Sequence, residues 1–180
     1  MTDRPTMAQL LELARDPIGS LRLAIARGEF VDLNLTARAH FIADVAHNGQ
    51  VDKSGTAYIS HPHRVAVRLT AQRAGEKVVA LGWLHDVVED TSLSLEDMAA
   101  AFPLMDDLIA GLDAITHRPG EPRPDYYDRV KASRLALTVK LADIADNTDP
   151  ARTQLLDEPT QMRLAAKYAK ALAHLSGDDQ

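Results

Sequence analysis

Four ionisable residues directly follow a strongly apolar stretch of the chain. The segment 78–84 is almost entirely apolar and leads into His85-Asp86 and, one helical turn later, Glu89 and Asp90. Side chains one turn apart share a helix face, and burying such groups without partners is unfavourable. A divalent cation bound by His85 and Asp86 would remove that cost and leave Glu89 and Asp90 placed to deprotonate a water. A helix end with solvated acids and a hydrogen-bonded histidine is the alternative interpretation.

His61 is a candidate for a further ligand, because two ligands do not hold a catalytic metal. It lies between Ser60, a good helix N-cap, and Pro62, which suits a first helical turn. We therefore expect His61 at a helix N-terminus that faces the polar loop 49–59. A capping or surface histidine would show the same pattern.

Asp143 is a second candidate, because it is a carboxylate within the otherwise mostly apolar helical segment 139–145. Lys140 precedes it by three residues, so a simple salt bridge is equally consistent with the spacing. Asn147 lies one turn beyond Asp143 and could donate a hydrogen bond to a substrate or a bound water. As an alternative, Asn147 could end the helix as a C-cap.

The donor set of two imidazoles and two carboxylates favours certain metals. With room for water and substrate oxygens, it suits Mn²⁺ or Fe²⁺ better than a closed tetrahedral Zn²⁺ site. Mg²⁺ is less favoured, because imidazole is a poor ligand for it. A rival set, His40, Asp44 and His47, has i, i+4, i+7 spacing and could form its own site. A polar helix face with local hydrogen bonds explains that spacing equally well.

The elements that must position these residues are predicted to be helices. No segment combines alternating apolar and polar residues with β-branched enrichment, so we expect an all-α, compact multi-helix bundle with the metal site at its centre. Residues 7–28 should be helical with a break near 16–19, and 49–59 and 117–124 should be loops. The further predicted helices are 36–48, 60–74, 76–90, 94–101, 103–116, 125–132, 134–147 and 159–175.

Length and composition predict one globular domain. The chain has 180 residues, of which 46% are hydrophobic, enough to bury a substantial core. We expect a single domain over 1–180, with an N-terminal helical extension (1–35), a motif-bearing core (36–150) and a C-terminal helix (151–180). The chain has no cysteine, which excludes disulfides, thiolate metal sites and cysteine nucleophiles.

Charge limits the partners that the chain is expected to bind. The formal net charge of −6 argues against long nucleic acids, which need a concentrated basic face. It is compatible with a small phosphorylated nucleotide, which a metal and a few local cations can neutralise. No stretch approaches a membrane span, and the N-terminus lacks the apolar core of a secretory signal. We therefore expect a cytoplasmic protein without membrane contact, as a monomer or a homodimer.

Five short motifs in order resemble the hydrolase domain of RelA/SpoT-type alarmone enzymes, which are HD-domain metal-dependent phosphohydrolases. The motifs are AHNGQ (46–50), KSG (53–55), YISHP (58–62), LHDVVEDT (84–91) and VKLAD (139–143). The resemblance covers roughly residues 36–150 and implies a helical hydrolase that uses Mn²⁺ to remove the 3′-pyrophosphate of (p)ppGpp. An HD hydrolase of another nucleotide or phosphorylated small molecule is the alternative.

The resemblance also implies roles for individual residues. Glu89 and Asp90 would match the acidic pair that handles the attacking water, and Lys53 and Asn147 would match substrate-contacting positions. The implied metal ligands are His61, His85, Asp86 and Asp143.

Two further residues are substrate-binding candidates on their own chemistry. Arg129 is a cation that could stabilise the pyrophosphate charge. Tyr126, or its neighbour Tyr127, could stack on a nucleobase, although helix packing explains both aromatic residues as well.

Three positions depart from the alarmone-enzyme pattern. Asp52 replaces an arginine before the loop lysine, Ile144 replaces an arginine after the ligand aspartate, and Asp146 replaces a histidine before Asn147. A carboxylate that points at an anionic nucleotide is unfavourable. The residues therefore support the metal machinery better than the alarmone substrate. Two hypotheses of another class accompany the hydrolase: a non-catalytic nucleotide-binding regulatory module, and a helical interaction protein with a buried salt-bridge network.

Overall fold

The structure is a computed structural model that describes residues 15–30 and 32–177. Within these residues the chain forms helices, and the isolated pair Val51 and Ala57 makes the one β-bridge, so the all-α prediction is confirmed. The helices are α1 (Pro17–Ala26), α2 (Leu35–Ala46), α3 (Ser60–Ala71), α4 (Glu76–Leu84), α5 (Val87–Asp90), α6 (Leu95–Ala101), α7 (Asp106–Ile115), α8 (Arg123–Ala132), α9 (Arg134–Asn147), α10 (Pro150–Thr153) and α11 (Glu158–Ser176).

Helix α4 lies at the centre of the bundle because it is apolar on nearly all sides. Its residues from Val79 to Leu84 are buried, and α2, α3, α7 and α9 pack around it. Gly82 lets α3 pack closely, since a Cβ at this position would lie 2.6 Å from a methyl group of Leu69, which would have to shift. His85 directly follows this buried helix, so its side chain lies in the interior of the bundle.

The helix predicted over 76–90 is interrupted at His85 and Asp86, which corrects the sequence analysis. Helix α4 ends at Leu84, and the short α5 begins at Val87. The Nδ1 of His85 donates to the carbonyl oxygen of Gly82 at 2.8 Å. An unbroken helix would offer that carbonyl to the backbone N–H of Asp86. The imidazole thus competes for the helical hydrogen bond at the point where the two elements separate.

Other boundaries differ from the predictions for local reasons. Helix α7 begins at Asp106 rather than Pro103, because Leu104 adopts a left-handed conformation with φ of 63°. Ser60 is the first residue of α3 rather than its cap. Helix α3 ends at Ala71, three residues earlier than predicted, and α8 begins two residues earlier. The short helix α10 was not predicted.

The predicted break near 16–19 is the start of α1. The Asp16 side chain accepts a hydrogen bond from the backbone N–H of Gly19 at 2.8 Å, and Pro17 occupies the first turn. The helical segment predicted over 7–14 lies outside the described residues. Helix α1 packs against α2 and α6, with Leu21 and Ile25 in the shared core. In the described part of the chain, no helix combines the length and apolar character of a membrane span.

Candidate metal centre

The four predicted ligand residues meet at the C-terminal end of α4. His61 lies in the first turn of α3, His85 and Asp86 join α4 to α5, and Asp143 lies on α9. The His61 Nε2 lies 3.3 Å from His85 Nε2, 3.6 Å from Asp86 Oδ2 and 3.2 Å from Asp143 Oδ1. The His85 Nε2 lies 3.1 Å from Asp86 Oδ2 and 4.0 Å from Asp143 Oδ1. Residues from distant parts of the sequence thus surround one point.

The spacing of these atoms fits a single divalent cation. Donor atoms that each lie about 2.1 Å from a metal are separated from one another by about 3 to 4 Å. Ligand atoms of His61, His85 and Asp86 all lie within 4.8 Å of one another, and among the described residues this is the one His and carboxylate group of that kind. Asp143 supplies a fourth oxygen beside it. The cluster can therefore hold a metal.

The electrostatics of the cluster also favour a cation. Burial lowers the pKa of His61, but Asp143, Asp146 and Asp86 raise it to about 9. Burial likewise opposes protonation of His85, yet Asp86 and Asp143 raise its pKa above the usual value. The carboxylates therefore stabilise extra positive charge at this point. A divalent metal would supply that charge in place of the two imidazole protons.

Asp143 is held from two sides by its own helix. The Lys140 Nζ lies 2.8 Å from Asp143 Oδ2, and Asn147 donates to Oδ1 at 2.5 Å. The Lys140 salt bridge, which the sequence offered as the alternative, is present and leaves Oδ1 facing His61. Burial would raise the pKa of Asp143, but Lys140 and the two histidines hold it well below its usual value. Asn147, predicted to contact substrate, contacts this ligand carboxylate.

Glu89 and Asp90 lie in the cavity wall beside the ligand cluster. The Tyr58 hydroxyl lies 3.0 Å from Asp90 Oδ2 and 2.7 Å from Asp86 Oδ2, so it bridges the two carboxylates. Burial and the neighbouring Asp86 raise the pKa of Asp90. The Glu89 carboxylate accepts from the backbone N–H of His117 at 3.0 Å. Sequence reasoning missed Tyr58, and its place inside a family-like motif was the available signal.

The cluster opens into a cavity of about 570 Å³. Three residues predicted to bind substrate, Lys53, Asn147 and Tyr126, line this cavity. Tyr126 is buried, and its hydroxyl donates to the carbonyl of Ile115 at 2.7 Å, which fits the packing alternative for this ring. Arg129 does not line the cavity.

Arg129 instead fastens the loop before α8. Its guanidinium donates to both carboxylate oxygens of Glu121, at 2.8 and 2.6 Å, and to the carbonyls of Asp113 and Thr116. These contacts hold the loop before α8 in place, outside the cavity lining. Tyr127 is buried outside the cavity lining.

Besides the ion-paired residues Asp52, Arg64, Lys140 and Arg152, two groups of charged residues line the cavity, and sequence reasoning found the first of them. The acidic end consists of His61, Asp86, Glu89, Asp90 and Asp143, which line the cavity, together with the buried His85, which contacts Asp86. The basic wall consists of Lys53, Arg123, Arg163 and Lys167. Arg123, Arg163 and Lys167 were missed, because each is an ordinary exposed cation, the first on α8 and the other two on α11. Among residues 15–30 and 32–177, no ion pair joins a member of the basic wall to an acidic residue.

The rival set of His40, Asp44 and His47 does not converge on one point within the described structure. His40 stacks on the ring of Trp83, with centroids 4.2 Å apart. The Nδ1 of His47 lies 2.8 Å from Gln50 Oε1, and Asp44 is exposed. His40 and Asp44 are exposed, as the polar-face interpretation expects, whereas His47 is buried.

Comparison with solved structures finds the same fold in another protein. A metazoan ortholog of SpoT, described as hydrolysing ppGpp, matches with a TM-score of 0.67 over 79% of this chain and 86% of that chain, at 24% sequence identity. This likeness supports the all-helical fold. No protein-family model matches the chain.

Sequence comparison finds relatives among alarmone enzymes. The guanosine-3′,5′-bis(diphosphate) 3′-pyrophosphohydrolase of Spiroplasma citri is 30% identical over 156 residues, covering 78% of this chain and 20% of that protein. A probable enzyme of the same name from Synechocystis is 46% identical over 146 residues, covering 76% and 19%. The bifunctional (p)ppGpp synthase/hydrolase SpoT of Escherichia coli is 30% identical over 150 residues, covering 78% and 21%.

These matches confirm the resemblance predicted from the five motifs. The chain is related to RelA/SpoT-type alarmone enzymes over about three quarters of its length, and it spans about one fifth of the length of these relatives.

Proposed function

We propose that this chain is a metal-dependent phosphohydrolase that removes the 3′-pyrophosphate of (p)ppGpp-like alarmones. One observation carries the proposal: donor atoms of His85, Asp86 and Asp143 all lie within 3.6 Å of the His61 Nε2, at the floor of a cavity whose other wall is basic. The names of the relatives support the substrate, and the geometry supports the chemistry.

In this proposal His61, His85, Asp86 and Asp143 hold Mn²⁺, with Fe²⁺, Zn²⁺ and Mg²⁺ as alternatives. When bound, such a cation polarises a phosphoryl oxygen and favours ionisation of a nearby water. Two nitrogen and two oxygen donors with an open side suit Mn²⁺ or Fe²⁺ better than a closed zinc site. Lys140 and Asn147 keep the Asp143 carboxylate oriented for this task.

Asp90, or its neighbour Glu89, accepts the proton of the attacking water. Water oxygen then bonds to phosphorus, the bond from phosphorus to the ribose 3′ oxygen breaks, and that oxygen leaves and takes a proton. The products are GDP or GTP and pyrophosphate. Burial and Asp86 raise the pKa of Asp90, which makes it a stronger base than an ordinary carboxylate. Tyr58 orients Asp90 through its hydroxyl.

The basic wall accounts for the remaining negative charge of the substrate. Its cations line the same cavity and are exposed, so they can bind phosphate oxygens. Partial burial beside the cavity lowers the pKa of Lys167, and the positive charges of Lys140 and Arg123 lower it further. Crowding of like charges is unfavourable without an anion, and a phosphate between these residues would relieve it.

The direct test incubates the purified chain with Mn²⁺ and ppGpp and quantifies GDP and pyrophosphate by ion-exchange chromatography. We expect equimolar release of both products, and none without a divalent metal. A panel with pppGpp, GTP and NADPH tests the substrate. Preference for an ordinary nucleotide would replace the alarmone with the alternative substrate class. Tight ppGpp binding without turnover would favour the regulatory module.

A further inference from the structure

Asp146 is a buried carboxylate outside the cavity lining that contacts a proposed metal ligand. Its Oδ2 lies 2.8 Å from the Nδ1 of His61, the ring atom opposite the Nε2 that faces the other ligands. The side chain of Asp146 is 2% exposed. An ionised carboxylate can only accept hydrogen bonds, so Nδ1 carries the hydrogen and Nε2 is the atom that can bind a metal.

Two arginines hold Asp146 in place. Arg64 of α3 donates to Oδ1 at 2.9 Å and to Oδ2 at 3.2 Å, and it also donates to the Ser60 hydroxyl at 3.0 Å. Arg152 of α10 lies 2.5 Å from Oδ2. Because two cations fix the position of the carboxylate, its hydrogen bond to Nδ1 sets the orientation of the His61 ring.

Arg152 extends this network to the loop that carries Lys53. It lies 3.5 Å from Asp52 Oδ2, while Asp52 Oδ1 accepts from the backbone N–H groups of Ser54 and Thr56. Asp52 and Asp146 are both positions at which the chain departs from the alarmone-enzyme pattern. Here the two carboxylates share one arginine, which offsets the negative charge of Asp52 beside a cavity for an anion.

We infer that Asp146 is a positioning residue for His61, and that Arg152 couples it to the loop 52–56. The inference rests on the proposed function, because it needs the metal which that function requires. Replacement of Asp146 would let the His61 ring rotate or change tautomer. Such outer partners of ligating histidines contribute about 10-fold to 100-fold in metal affinity. Asp52 acts through Arg152, so its contribution should be smaller.

Titration with Mn²⁺, followed by the electron paramagnetic resonance signal of the free ion, measures this affinity without substrate. We expect Asp146→Asn and Asp146→Ala to raise the Mn²⁺ dissociation constant by about 10-fold to 100-fold. Alanine should have the larger effect, since an amide oxygen still accepts from Nδ1. The matched control is Asp107→Asn, which also breaks an ion pair, with Lys77 on the surface, and should change nothing.

Two milder variants test the coupling to the loop. Asp52→Asn and Arg152→Ala should each raise the dissociation constant by about threefold or more, because residues that share a partner interact energetically. The double variant should be no weaker than Arg152→Ala alone, since both changes break the same contact. Circular dichroism of the metal-free proteins separates lost affinity from lost folding.

The outcomes separate this inference from the proposed function. Folded Asp146 variants that bind Mn²⁺ as tightly as the unmodified chain would overturn the inference but would not affect the proposed hydrolase function. If the unmodified chain binds neither Mn²⁺ nor any of the alternative metals Fe²⁺, Zn²⁺ and Mg²⁺, both are overturned. If both Asp146 variants fail to fold, Arg152→Ala on the short helix α10 is the deciding variant. An unchanged Mn²⁺ dissociation constant for Arg152→Ala would then overturn the inference.

Discussion

The acidic end and the basic wall of the cavity are built in different ways. At the acidic end, His61 and His85 are 5% and 2% exposed, and each ring is hydrogen-bonded through its Nδ1 to a partner outside the cluster. On the basic wall, Arg123, Arg163 and Lys167 are exposed, and no ion pair holds them within the described residues. One region is fixed by the fold, and the other consists of long, largely exposed side chains.

This difference in burial and pairing predicts that the two regions have separate roles, catalysis at the acidic end and substrate binding at the basic wall. Buried groups that are already oriented need little reorganisation during the reaction, and preorganisation of this kind accelerates chemistry. Exposed cations lose side-chain entropy when they bind and are screened by salt, so each contributes modestly. Changes at the acidic end should therefore affect metal binding and kcat, whereas changes on the basic wall should affect KM.

Asp86→Ala is the variant expected to have the largest effect. The Asp86 carboxylate lies beside the Nε2 atoms of both His61 and His85, so its loss removes a donor from the centre of the cluster. We expect no Mn²⁺ to remain after gel filtration and turnover to fall by about 10³-fold or more, because metal catalysis contributes several kcal/mol. Elemental analysis and pyrophosphate release measure both effects, with Asp107→Ala as the control. Unchanged hydrolysis would reject the metal assignment.

Asp90→Asn and Glu89→Gln test which residue of the acidic end transfers the proton without binding the metal. Loss of the residue that accepts the proton should lower kcat by about 10²-fold to 10⁴-fold and leave Mn²⁺ affinity unchanged. We expect this residue to be Asp90, because burial and Asp86 raise its pKa.

The pH profile at saturating Mn²⁺ provides the control for this assignment. A base must be deprotonated, so the rate should fall as the pH drops through the raised pKa of Asp90, and Asp90→Asn should lose that limb. If Asp90→Asn lowers the affinity for Mn²⁺ as well as kcat, Asp90 belongs to the metal site instead.

Lys167→Ala and Arg123→Ala test the basic wall. A hydrogen bond to a charged group contributes about 1.5 to 3 kcal/mol, and exposure reduces this, so we expect KM to rise by about 10-fold. The increase should shrink at high salt, and kcat should change little. Steady-state kinetics at two salt concentrations measure this, with Lys77→Ala as the matched surface control. A fall in kcat at constant KM would show that the two regions do not divide the tasks.

Much of the fold could be predicted because local signals agree with the packing. Helices α6 and α9 were predicted almost to the residue, and each directly follows a serine whose side chain caps the first turn, Ser94 and Ser133. The acidic end was visible for a related reason. A carboxylate such as Asp143 within an apolar helix violates the pattern around it, and such violations mark functional sites.

The rest depends on contacts between distant segments, which have no sequence signal of their own. Arg123 and Lys167 are ordinary surface residues until α8, α9 and α11 pack together and bring them to one cavity. The contact of Asp146 with His61 joins positions 85 residues apart, so the sequence showed Asp146 as a departure without its partner. The interruption at His85 similarly depends on which hydrogen bond its ring makes.

Arg129→Ala should have the smallest effect on the reaction, although its charge suggested a substrate contact. Its loss leaves Glu121 without the guanidinium that pairs with both carboxylate oxygens, at a cost of about 1 to 3 kcal/mol. For a chain of this size each kcal/mol lowers Tm by about 2 to 4 °C. We therefore expect calorimetry to detect a lower Tm while KM and kcat remain unchanged below the transition. A rise in KM comparable to that of Lys167→Ala, with Tm unchanged, would extend the basic wall to α8 and contradict the fastening role.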